Sequence, residues 1–254
     1  MAVELNYQRL GEGPPLVILH GLFGSLDNWR TLGKRFAERC EVYLVDQRNH
    51  GRSPHAEPHS YAAMAEDLLQ FLDDRELEQA HIIGHSMGGK TLLQFITQHA
   101  DRVQTAIVAD MAARAYEGGH DDIIAALQSV DFEAADERKD VDRQLKDAGI
   151  SVPGIRMFLM KGLIREKDSF RWRFNLDLID EQYSELQKPV ELDGPYDCKL
   201  LMLRGENSAY ISDADAFDMQ QHFSDANLVT LEGAGHWLHA DAPDAFAEAV
   251  ERAI

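Results

Sequence analysis

The segment Gly84-His85-Ser86-Met87-Gly88-Gly89 places a hydroxyl in the pattern G-x-S-x-G, directly after the aliphatic stretch His81-Ile82-Ile83 and directly before an amphipathic one. This is the spacing of a serine nucleophile on a sharp strand-to-helix turn. Such a turn brings neighbouring backbone too close for a Cβ on either side, which calls for Gly84 and Gly88. A tight glycine turn with an idle serine is the plainer alternative. A dinucleotide-binding fingerprint fits less well, because G-x-G-x-x-G requires glycine where Ser86 stands.

A hydroxyl becomes a useful nucleophile only when a base takes its proton, so an imidazole must reach Ser86 from elsewhere in the chain. His236 is the candidate. It follows the last aliphatic stretch in the glycine-rich Leu231-Glu232-Gly233-Ala234-Gly235-His236-Trp237. His20, His85 and His239 have weaker positions: one lies in another turn, one adjoins the nucleophile, one follows in the loop. The reaction also needs two hydrogen-bond donors for a developing oxyanion. The N–H of Met87 is the first. The second is the N–H of Leu22, in the glycine-flanked turn Leu19-His20-Gly21-Leu22-Phe23-Gly24, unless that loop is merely a turn.

These groups must be held by a sheet. Short aliphatic runs at 15–19, 42–45, 81–83, 105–109, 199–203 and 227–231 read as buried parallel strands. Amphipathic helices are predicted at 60–72, behind Ser60 as N-cap, and at 89–99, 213–223 and 243–254. Strand alternating with helix implies an α/β architecture, a mostly parallel sheet covered on both faces, with function at the carboxyl ends of the strands.

The rhythm breaks after Asp110, where long charged helical patterns replace strand signals. This predicts a helical cap at 114–193 inserted into a core of 1–113 and 194–254. Within it, 121–130 and 134–148 are polar amphipathic segments, whereas 152–164 is rich in apolar residues. Met157, Phe158, Met160 and Leu163 there either bury the cap or face a ligand.

The chain of 254 residues is 44% hydrophobic and 27% charged, an ordinary globular composition. Its formal charge of −19 argues against a general nucleic-acid or anionic-membrane binder. A local cluster of Arg165, Lys167, Arg171 and Arg173 could still offer a positive rim to an anionic substrate. Cys40 and Cys198 lack any C-x-x-C spacing, which suits a reducing, cytoplasmic setting better than a disulfide framework. No export signal and no run long enough to span a bilayer is read. His55-Ala56-Glu57-Pro58-His59 does not make a metal site, since Pro58 forbids the helical face that H-E-x-x-H needs. The acidic run from Asp121 to Glu137 reads as a solvated surface.

Taken together, His20-Gly21-Leu22-Phe23-Gly24, Asp46-Gln47-Arg48-Asn49-His50-Gly51-Arg52-Ser53, the Ser86 segment and Gly233-Ala234-Gly235-His236-Trp237 resemble the α/β-hydrolase fold family across the whole core. More narrowly, Asn28-Trp29, Trp172-Arg173-Phe174-Asn175-Leu176 and Arg204-Gly205-Glu206-Asn207-Ser208 resemble small bacterial esterases of the YbfF type. The resemblance implies hydrolysis of carboxylic esters or acyl thioesters, without a metal or organic cofactor; an acyl-CoA is attractive if the Arg and Lys side chains of the cap line the entrance. In most of that family an Asp follows the penultimate core strand, yet this chain has Glu206, Asn207 and Ser208 there. Asp110, at the end of the strand after the nucleophile strand, is the better candidate for the acid that orients His236. Glu206 is the runner-up, and Asp110 as a helix cap is the alternative. Asp46 reads as a structural turn residue.

The expected enzyme is therefore a serine esterase or thioesterase with Ser86, His236 and Asp110 as triad, Leu22 and Met87 as oxyanion donors, and Phe23, Trp172 and Phe174 as apolar pocket walls. Its partner is a small acyl ester or thioester, and the protein a monomer or small homo-oligomer. Similar scaffolds also run C–C bond hydrolysis and lactone opening, and fold alone does not exclude a non-catalytic ligand binder.

Overall fold

The computed structural model describes residues 1–167 and 169–254. The chain runs β1 (Tyr7–Leu10), β2 (Pro15–Leu19), α1 (Arg30–Phe36), β3 (Glu41–Val45), α2 (Tyr61–Asp73), β4 (Ala80–His85), α3 (Met87–His99) and β5 (Val103–Ala109). Then come α4 (Asp121–Gln128), α5 (Arg138–Asp147), α6 (Pro153–Leu159), the hairpin β6 (Leu163–Glu166) and β7 (Ser169–Trp172), α7 (Leu176–Glu181) and α8 (Tyr183–Gln187). It closes with β8 (Lys199–Gly205), α9 (Asp213–Gln220), β9 (Ala226–Leu231), α10 (Leu238–Asp241) and α11 (Pro243–Ala253).

One sheet takes the order β1-β3-β2-β4-β5-β8-β9, parallel throughout except for the antiparallel edge strand β1. Alternate side chains enter opposite layers, as a period of two demands. Ile82 and Val108 join Leu68, Phe71, Leu92 and Phe95 of α2 and α3 on one face. Ile83 and Ile107 join Trp29, Leu32, Phe36, Phe246 and Val250 on the other, under α1 and α11. The central strands are buried on both faces, which is why their sequences are continuous aliphatic runs.

The register sets the site. Leu19 pairs with Gly84, His85 with Ala109, and Ala109 with Leu203, so β2, β4 and β5 end within one residue of one another, beside Leu203 of β8. The loops that leave them emerge along one edge of the sheet.

Several elements differ from the sequence expectations, among them the short helices α1 and α10, which those expectations do not include. The edge strand β1, Tyr-Gln-Arg-Leu, is half exposed and too polar to stand out. The segment after Asp110 contains the hairpin β6–β7 as well as helices, and its four-residue strands carry Arg165, Glu166 and Arg171 outward. Apolar residues of this segment, including Ile124, Leu145, Leu159 and Trp172, are continuous with the layer under α2 and α3. Among the described residues no helix is long and apolar enough to cross a membrane.

The 46–53 loop is pinned by a buried ion pair. Arg48 Nε and Nη2 donate to the two carboxylate oxygens of Asp67 on α2 at 2.6 and 2.7 Å, and both side chains are essentially inaccessible. Removing one partner would strand a buried charge. Asp67→Ala is expected to lower unfolding free energy by about 3–5 kcal/mol in denaturant titration, against under about 1 kcal/mol for removing the exposed Glu248 that pairs with Arg252.

Candidate active site

Ser86 stands between β4 and α3 with φ 52° and ψ −116°, a left-handed backbone forced on a non-glycine residue. Its N–H donates to the Ala109 carbonyl at 3.1 Å, which extends the β4–β5 ladder by one residue and fixes the turn. A Cβ on Gly84 would sit 2.2 Å from the Gly88 carbonyl oxygen, and one on Gly88 2.5 Å from that of Leu19. Both glycines are therefore obligatory, as the sequence pattern requires.

His236 lies in the loop after β9, and its Nε2 is 3.1 Å from Ser86 Oγ. Its Nδ1 is 2.8 Å from Asp110 Oδ2. Asp110 is fully buried at the end of β5, again at positive φ, and its N–H donates to the Leu203 carbonyl at 2.7 Å. The carboxylate also accepts from Gly205 N–H at 3.1 Å and from the Ser208 hydroxyl. Buried acceptors are thus matched by donors on the neighbouring strand end. Glu206 lies elsewhere: its Oε2 accepts from Gly233 N–H at 2.7 Å, bracing the loop that carries His236.

The ring of His236 is held by its neighbours. Tyr210 stacks on it at 3.9 Å between centroids, and His85 Nε2–H donates to the His236 carbonyl at 2.9 Å. His239 stacks on Trp29 behind this layer.

The loop after β2 adjoins the serine, since a Cβ on Gly21 would meet His85 Nδ1 at 2.9 Å and Ser86 Cβ at 3.1 Å. Two buried imidazoles hold it. His20 Nε2 accepts from Gln47 N–H at 3.0 Å, so its Nδ1 carries the proton and donates to the Gly21 carbonyl at 2.8 Å. His50 Nε2 accepts from Phe23 N–H at 3.1 Å, and its Nδ1–H donates to the Arg48 carbonyl at 3.0 Å. Asp46 accepts from Leu26 and Arg52 N–H and from the Asn6 amide, a structural role in agreement with the sequence. No backbone carbonyl among the described loops and caps accepts from the N–H of Leu22 or Met87.

Two cavities meet at Ser86. The larger, about 210 Å³, has walls of Leu22, Met87, Met111, Tyr116, Tyr183 and Tyr210. The smaller, about 20 Å³, is lined by Phe23, His236 and Trp237 from the core loops and by Ile155, Phe158 and Leu159 of α6. Phe23 is on this wall as expected. Trp172 and Phe174 are not: they stack on each other 5.4 Å apart, Trp172 donates to the Leu127 carbonyl, and Phe174 packs behind Phe23. They form the floor of a separate depression. The positive rim is also displaced, because Arg171 pairs with Glu166, Arg173 lies 3.9 Å from Asp27, and neither they nor Arg165 and Lys167 line the cavities at Ser86. The 152–164 segment divides: Phe158 faces the small cavity, Met160 and Leu163 are buried, and Met157 is 68% exposed.

Sequence reasoning missed Tyr116, Tyr183, Tyr210 and His120, which line the larger cavity. No local pattern marks them.

Burial drives the imidazoles of His20, His50 and His85 below their ordinary range, and those of His59 and His239 down to about 3. Each is neutral in the folded protein and free to protonate when unfolded. Folding free energy from this source is complete above the unfolded value near 6.5 and is lost as pH falls toward the folded values. Stability measured by denaturant titration is expected to be flat from pH 8 to 7 and to fall between pH 6.5 and 5, by up to about 1.4 kcal/mol per pH unit for each of His59 and His239, with His20, His50 and His85 acting in the same direction. A flat profile down to pH 5 would contradict the neutral assignment.

Comparison with known proteins bears on the family and the fold. A model of the alpha/beta hydrolase fold family matches residues 14–134. The sn-1-specific diacylglycerol lipase ABHD11 of Xenopus laevis is 37% identical over 98% of this chain and 83% of its own. Esterase YbfF of Escherichia coli K12 is 34% identical over 96% of this chain and 94% of its own. A solved marine microorganism esterase superposes with a TM-score of 0.96 at 43% identity, covering both chains completely.

Proposed function

The chain belongs to the α/β-hydrolase family, and from that premise we propose that it is a serine hydrolase of carboxylic esters, acting through Ser86, His236 and Asp110. The observation that carries this reading is the continuous hydrogen-bonded line from Ser86 Oγ through both ring nitrogens of His236 to Asp110 Oδ2. His236 Nε2 removes the serine proton as Oγ adds to the substrate carbonyl. The charge on the tetrahedral oxygen is met by the N–H groups of Leu22 and Met87, and Asp110 keeps the proton on Nδ1 and stabilises the imidazolium. His236 then returns its proton to the leaving alkoxide, and a water attacks the acyl-serine by the same route in reverse.

Because His236 must touch the leaving oxygen, the alcohol side of the ester belongs in the smaller cavity, which His236 lines, and the acyl chain in the larger apolar one. We read residues 114–193 as a cap over a core of 1–113 and 194–254, a reading supported by Tyr116, His120 and Tyr183 in the wall of the larger cavity and Ile155, Phe158 and Leu159 in that of the smaller. Acyl thioesters, including acyl-CoA, pass through the same intermediate. Two buried, unpaired cysteines suit a reducing cytoplasm.

The test is turnover of p-nitrophenyl esters from acetate to palmitate, beside acyl-CoA thioesters. Ser86→Ala is expected to lose at least about 10⁴-fold in kcat and Asp110→Asn about 10²–10⁴-fold. Glu206→Gln, which keeps an acceptor for Gly233, should stay within about threefold of the parent. Equal losses in the Asp110 and Glu206 variants would remove Asp110 from the assignment. Failure of the parent on every ester and thioester would remove the esterase reading itself.

A further inference from the structure

His120 lies just before α4, in the wall of both cavities that meet at Ser86. Its Nδ1 is 2.9 Å from the hydroxyl of Tyr183, and that hydroxyl is 3.1 Å from the Gly118 carbonyl. A carbonyl oxygen can only accept, so the phenolic proton goes to Gly118 and Nδ1 of His120 must carry its own. The line Gly118 carbonyl, Tyr183 hydroxyl, His120 Nδ1–H therefore fixes the tautomer. Burial, with His236 adding to it, pushes His120 down to about 4, so the ring is neutral at pH 7 and Nε2 offers a lone pair. Among the described residues Nε2 has no protein donor. His120 and His236 line the smaller cavity together.

Apolar walls surround this acceptor. Phe23 meets His120 edge to face at 6.3 Å, and Ile123, Ile155, Phe158 and Leu159 line the same smaller cavity opposite Ser86 and His236. An alkyl alcohol would leave the lone pair desolvated and unpaired, which costs free energy; an alcohol with a second hydroxyl would satisfy it.

Resting on the Ser86 chemistry proposed above, we propose that His120 Nε2 accepts a hydrogen bond from a free hydroxyl on the alcohol part of the substrate. The enzyme is then selective for partial esters of diols and polyols over alkyl esters of the same size.

The experiment compares kcat/KM for 2-hydroxyethyl butyrate and propyl butyrate, which have equal numbers of heavy atoms, each divided by its rate of hydroxide hydrolysis. The readout is the ratio of the two, so a general loss of activity cancels. The parent enzyme is expected to favour the hydroxyl ester by about 3–10-fold. His120→Phe should bring the ratio to one or below, and His120→Gln, whose amide oxygen can accept, should restore part of it. Tyr183→Phe releases the tautomer and should lower the ratio without removing the imidazole. A ratio of one in the parent, or a ratio unchanged in His120→Phe, would overturn the inference. Should His120→Phe fail to fold, the parent ratio and the Tyr183→Phe ratio decide. p-Nitrophenyl butyrate separates the two readings: turnover of it with a parent ratio of one sinks only the His120 assignment, while no turnover of any ester sinks both.

Discussion

The register of four adjacent parallel strands, which brings their carboxyl ends to one edge, is the constraint on which the rest of the molecule depends. His85, Ala109 and Leu203 lie side by side in the sheet, and Leu19 ends one residue short of them, beside Gly84. The next residues along the chain therefore deliver the glycine-flanked loop, Ser86, Asp110 and the Ser208 loop to one edge. Had β5 slipped by one residue, Asp110 would point to the opposite face. The ladder is continued past the strand ends by Ser86 N–H to Ala109 and Asp110 N–H to Leu203, and both residues adopt positive φ to turn their side chains outward. Backbone strain of order 1–3 kcal/mol at each position is carried by the packing of a sheet buried on both faces.

Around that edge, buried neutral histidines serve as fixed connectors. His20 and His50 each accept from one backbone N–H and donate to one carbonyl, which sets the loop that carries Leu22 without a charge to desolvate. His85 performs the same service for the backbone of His236. The 46–53 loop that supplies His50 is itself tied to α2 through Arg48 and Asp67. A site braced in this way has its donors and its base positioned before substrate arrives, which is the condition for electrostatic stabilisation of an oxyanion.

What could be read from the amino-acid sequence follows from how local the cause is. Gly84, Ser86 and Gly88 were legible because a tight strand-to-helix turn imposes glycine at fixed offsets, and Asp110 could be singled out because it ends the strand after the nucleophile strand. Glu206 instead holds Gly233. The strand β1 and the hairpin β6–β7 were illegible because each strand is four residues long and partly charged, too short to show a period. Trp172 and Phe174 are aromatic enough for a pocket wall, but aromatic type does not say which cavity a ring faces; they stack in the inserted segment. His120 and Tyr183 come together from positions 63 residues apart, and no spacing announces such a pair.

The central claim is that Ser86 is made nucleophilic by His236, and covalent trapping tests it without assuming any substrate. Incubation with a fluorophosphonate, followed by mass spectrometry of peptides, should give one adduct, on Ser86, at a rate that falls at least about 10³-fold in His236→Ala. An adduct on another residue, or a Ser86 labelling rate unchanged when the imidazole is removed, would contradict the account.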